Sequence, residues 1–152
     1  MTQFACCYHV FTNYVMDVTM CMGPSMLPTL NAAGDVVLLE HITPALHALK
    51  PGDIVVAKSP SNPRMMVCKR IVAMEGHEVH AMPPAAPRGM VIGGRSRHAE
   101  THTVVPRGHV WLQGDNLFNS TDSRHYGPVP LALVKGRVFY RVWPPRDCGP
   151  VR

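Results

Sequence analysis

Residues 66–72 have the sequence MVCKRIV, in which a lysine and an arginine interrupt an otherwise apolar, strand-like run. Successive side chains of a β-strand point to opposite faces, so Lys69 shares one face with Val67 and Ile71, whereas Arg70 points to the other. The face that carries Lys69 is apolar, and burial there disfavours the charged ammonium. This strand therefore predicts a buried, neutral lysine amine, which is a group that can act as a general base.

Turn residues divide the rest of the chain into segments about as long as this strand. The 152 residues include 15 prolines and 12 glycines, which is typical of a domain of short strands rather than of a helical bundle. Strand-like runs cover residues 36–40, 54–57, 66–74, 78–82, 109–113 and 134–143. We therefore expect a mostly β fold of short antiparallel strands, preceded by a short N-terminal helical or apolar segment.

The length of the chain predicts a single folded domain, because domains commonly have about 100–200 residues. We assign residues 1–20 to the apolar N-terminal segment and residues 21–145 to the domain. Within the domain, residues 83–102 are rich in proline, glycine and arginine and are expected to form a surface loop. Residues 146–152 are left as a tail.

The charge distribution argues against a nucleic-acid partner and against a targeting presequence. The net charge is +5, but the cations are scattered and form no basic run interleaved with aromatic residues. No Lys or Arg precedes Lys50, which excludes an Arg-rich transit helix and the basic start of a secretory signal. Residues 4–16 are uncharged and mostly apolar, yet shorter than the ~20 residues that span a bilayer. A core helix, an interfacial helix and a weak membrane anchor all explain this segment.

Neither the cysteines nor the histidines match a known metal-binding motif. The five cysteines are odd in number and include no CxxC pair, so neither a disulfide framework nor a tetrathiolate zinc site is indicated. Among the nine histidines, the closest spacings are His77 to His80 and His98 to His102, and neither matches HExxH on a helix. We expect no metal site and no cofactor.

Ser25 is the candidate nucleophile that a lysine base would serve. It lies in the segment MGPSMLPTL, residues 22–30, where prolines at positions 24 and 28 restrict the backbone on both sides. A rigidly held hydroxyl in an apolar setting suits nucleophilic catalysis if a base lies nearby. No histidine belongs to a recognisable partner motif such as the GxSxG elbow, which leaves Lys69 as the candidate base.

A polar loop supplies candidate supporting residues. It has the sequence GDNLFNSTDSR, residues 114–124, and follows the strand-like run 109–113. Such residues also form ordinary turns, because Asn, Asp and Ser hydrogen-bond to their own backbone. We expect Ser120 to orient the Lys69 amine, and Asp122 and Arg124 to form an ion pair that braces the loop.

Four segments, taken in order, resemble the sequence boxes of type I signal peptidases. They are SMLPT at 25–29, GDIVV at 52–56, KRIV at 69–72 and GDNLFNSTDSR at 114–124. Further segments resemble the mitochondrial branch of that family, notably MGPS at 22–25, HVWLQGDNL at 109–117 and YGPVP at 126–130. The resemblance covers about residues 15–145 and implies a signal-peptidase-like fold, similar to that of LexA-like proteins.

The resemblance implies a serine endopeptidase with a Ser/Lys dyad, in which each matching residue takes the role of its motif position. Ser25 is then the nucleophile, and its backbone N–H contributes to the oxyanion hole. Lys69 is the general base, and Ser120 is the hydroxyl that orients it. No cofactor or metal is implied.

The partner of the Asp122 carboxylate has two candidates within the resemblance. Arg124 is one, and Arg70, the residue after the lysine, is the other. Because strand alternation places Arg70 on the face opposite to Lys69, we prefer Arg124. Position 23 departs from the pattern: bacterial relatives often have a serine hydroxyl there as a second oxyanion donor, and this chain has Gly23.

The mitochondrial branch also implies a location and partners. The enzyme would sit at the mitochondrial inner membrane with its active site facing the intermembrane space, and would remove sorting signals from precursor polypeptides delivered there. A related second peptidase subunit would form a heterodimer with it. Contact with inner membrane lipid would use the apolar surface near Met26 and Leu27, or would depend on the partner subunit.

Two alternative functions remain open at this point. The chain could be a catalytically silent subunit that stabilises an active partner, although intact Ser25, Lys69 and Ser120 argue against this. It could also be a LexA-like protein that cleaves itself with the same dyad, although it contains no helix-turn-helix DNA-binding module.

Overall fold

The structure is a computed structural model that describes residues 14–81 and 101–151, together with residues 4, 9, 11 and 12. Within these residues, the strands are β1 (Met16–Met22), β2 (Ala33–Glu40), β3 (Ile54–Lys58), β4 (Met66–Met74), β5 (Glu78–Ala81), β6 (Thr101–Val104), β7 (His109–Gln113), β8 (Val129–Pro130), β9 (Val134–Trp143) and β10 (Gly149–Pro150). The helices with printed bounds are short: α1 (Ile42–Ala45), α2 (Ser123–Tyr126) and three 3₁₀-helices at Pro24–Met26, Leu131–Leu133 and Pro145–Asp147. Residues 4, 9, 11, 12 and 14 are also helical, within the segment expected to be helical or apolar.

Eight of these strands form one antiparallel sheet. Its order is β1-β2-β9-β3-β4-β7-β8, with β10 paired to β9, while β5 and β6 form a separate two-stranded sheet. The predicted mostly β, antiparallel fold is confirmed. The predicted runs 66–74, 109–113 and 134–143 have the same bounds as β4, β7 and β9.

The largest difference from the sequence prediction is β1. Residues 16–20 were assigned to the apolar N-terminal segment, but they belong to a strand that pairs with β2 from Met16↔Glu40 onward. Strand β1 lies at the edge of the sheet, and Val18, Met20 and Met22 are exposed on it. Thr19 is half-buried and Cys21 is buried, so the side chains of β1 do alternate, but the apolar Val18, Met20 and Met22 lie on the exposed face. The usual pattern of buried apolar and exposed polar side chains is therefore reversed.

Parts of the predicted loop and of the predicted tail form strands. Most of the loop, residues 83–100, lies outside the described residues, but its predicted end overlaps β6, which pairs with β5. In the predicted tail, β10 pairs with β9 at Gly149↔Arg141. The tail is therefore part of the main sheet.

Strand β3 is the centre of the fold because it is buried on both faces. Ile54 and Val56 belong to one hydrophobic cluster with Val37, Leu39 and Val138, whereas Val55 and Ala57 belong to a second cluster with Ile71, Leu112 and Val129. Fully burying one such side chain contributes about 1.5–3 kcal/mol. Neighbouring strand β4 pairs directly with β3, and Lys69 lies opposite Val55. This pairing fixes the lysine within the sheet.

Candidate active site

Ser25 lies on a short 3₁₀-helix whose position is fixed by the core. The helix spans Pro24–Met26 and directly follows β1. Met26, the next residue, is 2% exposed and packs in the cluster around Ile54 and Val56. The helix also packs against β4, the strand of Lys69. Burial of one neighbour thus holds the serine beside the lysine strand.

Lys69 is buried as the strand alternation predicted. The residue is 4% exposed, and Ile71 on the same face is completely buried. Among the described residues, none of the ion pairs involves Lys69. Burial lowers the pKa of its amine, with a contribution from the charge of Arg124, and the nearby carboxylate of Asp122 only partly opposes this. The lowered pKa favours the neutral amine that a general base requires.

Two residues of the polar loop join it to the serine helix. The Asn116 backbone N–H donates to the Ser25 carbonyl oxygen at 3.0 Å, and its side-chain amide donates to the Pro24 carbonyl oxygen at 3.0 Å. Gly114 lies so close that an added Cβ would be 2.5 Å from the Ser25 carbonyl oxygen and would overlap the Ser120 hydroxyl. The site therefore brings together Ser25 and Ser120, which are 95 positions apart in the sequence.

Gly114 and Asn116 are site residues to which the sequence analysis gave no role. Both belong to the GDN segment of the recognised motif, but a motif does not show which of its atoms touch the nucleophile loop. The information that assigns these roles is the pairing of β4 with β7, in which Arg70 lies opposite Gln113. It brings the residue after Gln113 beside Lys69, where a side chain has no room.

Asp122 holds the loop through a fully buried carboxylate. Its side chain is 0% exposed and accepts hydrogen bonds from the Ser120 hydroxyl at 2.7 Å and the Gly114 N–H at 3.0 Å. Arg124 donates to both carboxylate oxygens, from Nε and from Nη2, each at 2.9 Å. Burial alone would raise the pKa of Asp122, but hydrogen bonds from Arg124, Gly114 and Ser120 lower it. The predicted pairing of Asp122 with Arg124 is present.

Arg70 supports the site from the opposite face and through a different carboxylate. Its guanidinium donates to Asp115 Oδ1 at 2.8 Å and to Oδ2 at 2.7 Å, and Thr29 Oγ1 donates to Asp115 Oδ2 at 2.5 Å. The alternative in which Arg70 approaches Asp122 is wrong, because alternation along β4 directs it away from Lys69. Asp115, which the sequence analysis did not single out, ties β4 to the segment that follows Ser25.

The backbone around the nucleophile leaves the Ser25 amide available as a donor. Among the described residues, turn hydrogen bonds near it start from the amides of Gly23, Leu27 and Leu30, and none starts from Ser25. Gly23 has φ 113° and ψ 154°. Pro24 accounts for the extended ψ, whereas the positive φ is a conformation that favours glycine. A serine at position 23 would therefore be strained.

Comparison with known proteins places this geometry in a family. The family described as "Signal peptidase, peptidase S26" matches residues 1–83 and 90–143. This chain belongs to the signal peptidase family S26. The match begins at residue 1, which is earlier than the motifs indicated, and it resumes within the predicted 83–102 loop.

Individual relatives indicate the branch of the family to which this signal peptidase is most similar. It is 43% identical over 150 residues to human mitochondrial inner membrane protease subunit 1, covering 99% of this chain and 83% of that protein. It is 45% identical over 152 residues to an Arabidopsis thaliana mitochondrial ATP-independent inner membrane protease subunit 1a, covering 100% and 85%. The predicted peptidase function and the predicted location at the mitochondrial inner membrane are confirmed.

Two further similarities concern subunit composition and fold. Mouse mitochondrial inner membrane protease subunit 2 is 37% identical over 139 residues, covering 89% of this signal peptidase and 71% of that protein. These relatives are named as subunits of a protease. A signal peptidase I from Enterococcus faecalis V583 has a TM-score of 0.43 and 22% identity, covering 59% of this chain and 95% of that one.

Of the two residues near which lipid contact was expected, Leu27 is partly exposed and Met26 is not. Met26 is in the core and is not available to a membrane, whereas Met20 and Met22 on β1 are 60% and 77% exposed. In the part of the signal peptidase that the structure describes, no helix has the length and apolar character needed to cross a bilayer.

Proposed function

We propose that this signal peptidase of the mitochondrial inner membrane cleaves precursor polypeptides with Ser25 as the nucleophile and Lys69 as the general base. The observation that carries the proposal is the buried Lys69 amine, whose pKa is lowered by burial, on a strand that packs against the Ser25 helix. In the part of the chain that the structure describes, Lys69 has no ion-pair partner, and such a buried lysine is energetically unfavourable as a purely structural group. The same environment is suited to proton transfer.

The hydrogen-bond donors and acceptors of the loop support a role for Ser120 in orienting the Lys69 amine. Its hydroxyl donates its one proton to Asp122, so the oxygen of Ser120 is left to accept a hydrogen bond from another donor. The neutral Lys69 amine has two N–H donors and one lone pair. If one N–H donates to Ser120, the lone pair is free to face the Ser25 hydroxyl.

In the proposed reaction, the Lys69 lone pair takes the Ser25 proton as the Ser25 oxygen attacks the scissile carbonyl carbon. The Ser25 backbone N–H donates to the oxyanion that forms. Lys69 then gives the proton to the leaving amine, and the C–N bond breaks to leave an acyl ester on Ser25. A water molecule, deprotonated by the same lysine, hydrolyses the ester and restores the serine.

Asp122 acts on this reaction only through its neighbours. It holds Ser120 and Gly114 in place, and Arg124 compensates its charge. It is therefore a positioning residue. Asp115 with Arg70 performs the same task for the segment after Ser25.

The relatives support the finer proposals on substrate and assembly. We infer that the active site faces the intermembrane space, that the substrates carry cleavable sorting signals, and that a related second subunit forms a heterodimer with this chain. The 37% identity to mouse subunit 2 supports the inference of a related second subunit.

The test compares inner membranes that carry the wild type, Ser25→Ala or Ser61→Ala at equal abundance. Ser61 is an exposed serine in the turn before β4 and serves as the matched control. We expect processing of an intermembrane-space precursor to be lost in Ser25→Ala and retained in Ser61→Ala. Normal processing by Ser25→Ala would instead indicate a subunit that stabilises an active partner.

A further inference from the structure

A cluster of possible metal ligands lies on the two-stranded sheet of β5 and β6. His80 pairs directly with His102 across the two strands, and Glu78 precedes His80 by two positions, which places it on the same face. One ligand atom from each of these three residues lies within 4.8 Å of the other two. The pairing brings together one member of each histidine pair that the sequence analysis had considered separately, His77 with His80 and His98 with His102.

The three side chains are already oriented towards one another. The rings of His80 and His102 meet edge to face with their centroids 4.3 Å apart. His102 Nδ1 is 3.5 Å from a Glu78 carboxylate oxygen. Both side chains are more than half exposed, and exposed contacts of this kind contribute little to stability. Breaking this contact to bind a metal ion would therefore cost little stability.

The ligand set and its spacing fit zinc. Zn²⁺ binds histidine nitrogens and carboxylate oxygens at about 2.0–2.2 Å, so ligand atoms around a tetrahedral ion lie roughly 3.3 Å apart. Small side-chain rotations would bring atoms within 4.8 Å of one another to that separation. Two neutral imidazoles and one carboxylate give the site a charge of −1, which favours a divalent cation.

We propose that Glu78, His80 and His102 bind a Zn²⁺ ion on the exposed face of the β5–β6 sheet. Three protein ligands leave a fourth position, which water fills. The ion cross-links two strands of four residues each, and an isolated two-stranded sheet is only marginally stable. The cross-link therefore stabilises the pairing of β5 with β6.

The test is zinc titration of the full chain after dialysis against a chelator. Isothermal titration calorimetry with ZnCl₂ measures affinity, and the absorption spectrum of the Co²⁺-substituted protein reports the ligands. The variants are His80→Ala and His102→Ala, with His77→Ala as the matched control. His77 is exposed in the adjacent turn, and its Nδ1 lies 3.1 Å from the Met74 carbonyl oxygen.

We expect one zinc per chain in the wild type and in His77→Ala. Loss of a second-shell partner commonly reduces metal affinity 10–100-fold, so removal of His80 or His102 is expected to reduce it at least 10-fold. All three substitutions are on exposed side chains, and circular dichroism checks that each variant is folded. Hydrogen exchange at the amides of β5 and β6 should slow on zinc addition, and should not change in His80→Ala.

Three results would overturn the proposal. One is the absence of saturable zinc binding in the wild type. The second is wild-type affinity in His80→Ala or His102→Ala. The third is a thiolate charge-transfer band in the cobalt spectrum, which would assign the metal to cysteines such as the exposed Cys148.

Discussion

Replacing Gly114 with alanine tests whether the polar loop positions the nucleophile. The new Cβ would be 2.5 Å from the Ser25 carbonyl oxygen and 2.7 Å from Ser120 Cβ, whereas ordinary contact begins at 3.4 Å. The serine helix and the loop must therefore separate by about 0.9 Å, estimated from this contact to Ser25. A misplacement of about 1 Å in an active site can reduce the rate about 100-fold. Overpacking of this kind typically destabilises a protein by about 1–3 kcal/mol.

The assay measures kcat and KM for a cleavable precursor peptide, together with urea unfolding of the same preparation. We expect kcat to fall about 100-fold in Gly114→Ala while the protein stays folded at low urea. Gly76→Ala is the control, because its φ is +79° with no atom within 4 Å of an added Cβ. It should lose stability through backbone strain alone and keep its kcat. Wild-type kcat in Gly114→Ala would refute the close contact on which the site description depends.

Three further predictions concern the charged groups of the site. Because burial lowers the pKa of Lys69, kcat/KM should rise with pH as the amine loses its proton; a profile that is flat down to pH 5 would contradict this. Lys69→Met should be inactive yet more stable at pH 7, by about 0.5–2 kcal/mol in urea unfolding, because the unfolded wild type binds a proton that the folded state disfavours. Asp122→Asn should lose about 3–5 kcal/mol, since it leaves the buried Arg124 guanidinium without its carboxylate, and exposed Asp17→Asn should lose none. Because the pKa of Asp122 is lowered in the folded protein, its carboxylate stabilises the fold fully at neutral pH, and this stabilisation is lost as the pH falls through the lowered pKa. The stability of Asp122→Asn should therefore decrease less on acidification than that of the wild type.

Local patterns predicted the parts of the site that depend on one strand or one loop. Alternation along β4 correctly buried Lys69 and turned Arg70 away, because the side-chain period of a strand is fixed by its backbone. The predicted ion pair of Asp122 with Arg124, at 2.9 Å, is likewise local because the two residues belong to one loop. Such features are encoded within a few residues.

Contacts that depend on strand order could not be predicted in the same way. The pairing of Arg70 with Asp115 requires β7 to lie beside β4, and the crowding at Gly114 requires the serine helix to lie across that junction. The His80–His102 pair requires β5 and β6 to be adjacent, although residues 82–100 separate them in the sequence. Strand β1 was missed because its apolar side chains lie on the exposed face, and its pairing with β2 supplies the missing information.

The most direct test of the central claim is to identify the covalent intermediate. The enzyme is mixed with a peptide ester substrate, quenched in acid within one turnover, digested, and examined by mass spectrometry. We predict an acyl group on the peptide that contains Ser25 in the wild type, no acyl group in Ser25→Ala, and almost none in Lys69→Met. Turnover with the acyl group on another residue, or full acylation of Ser25 in Lys69→Met, would contradict the Ser25/Lys69 mechanism.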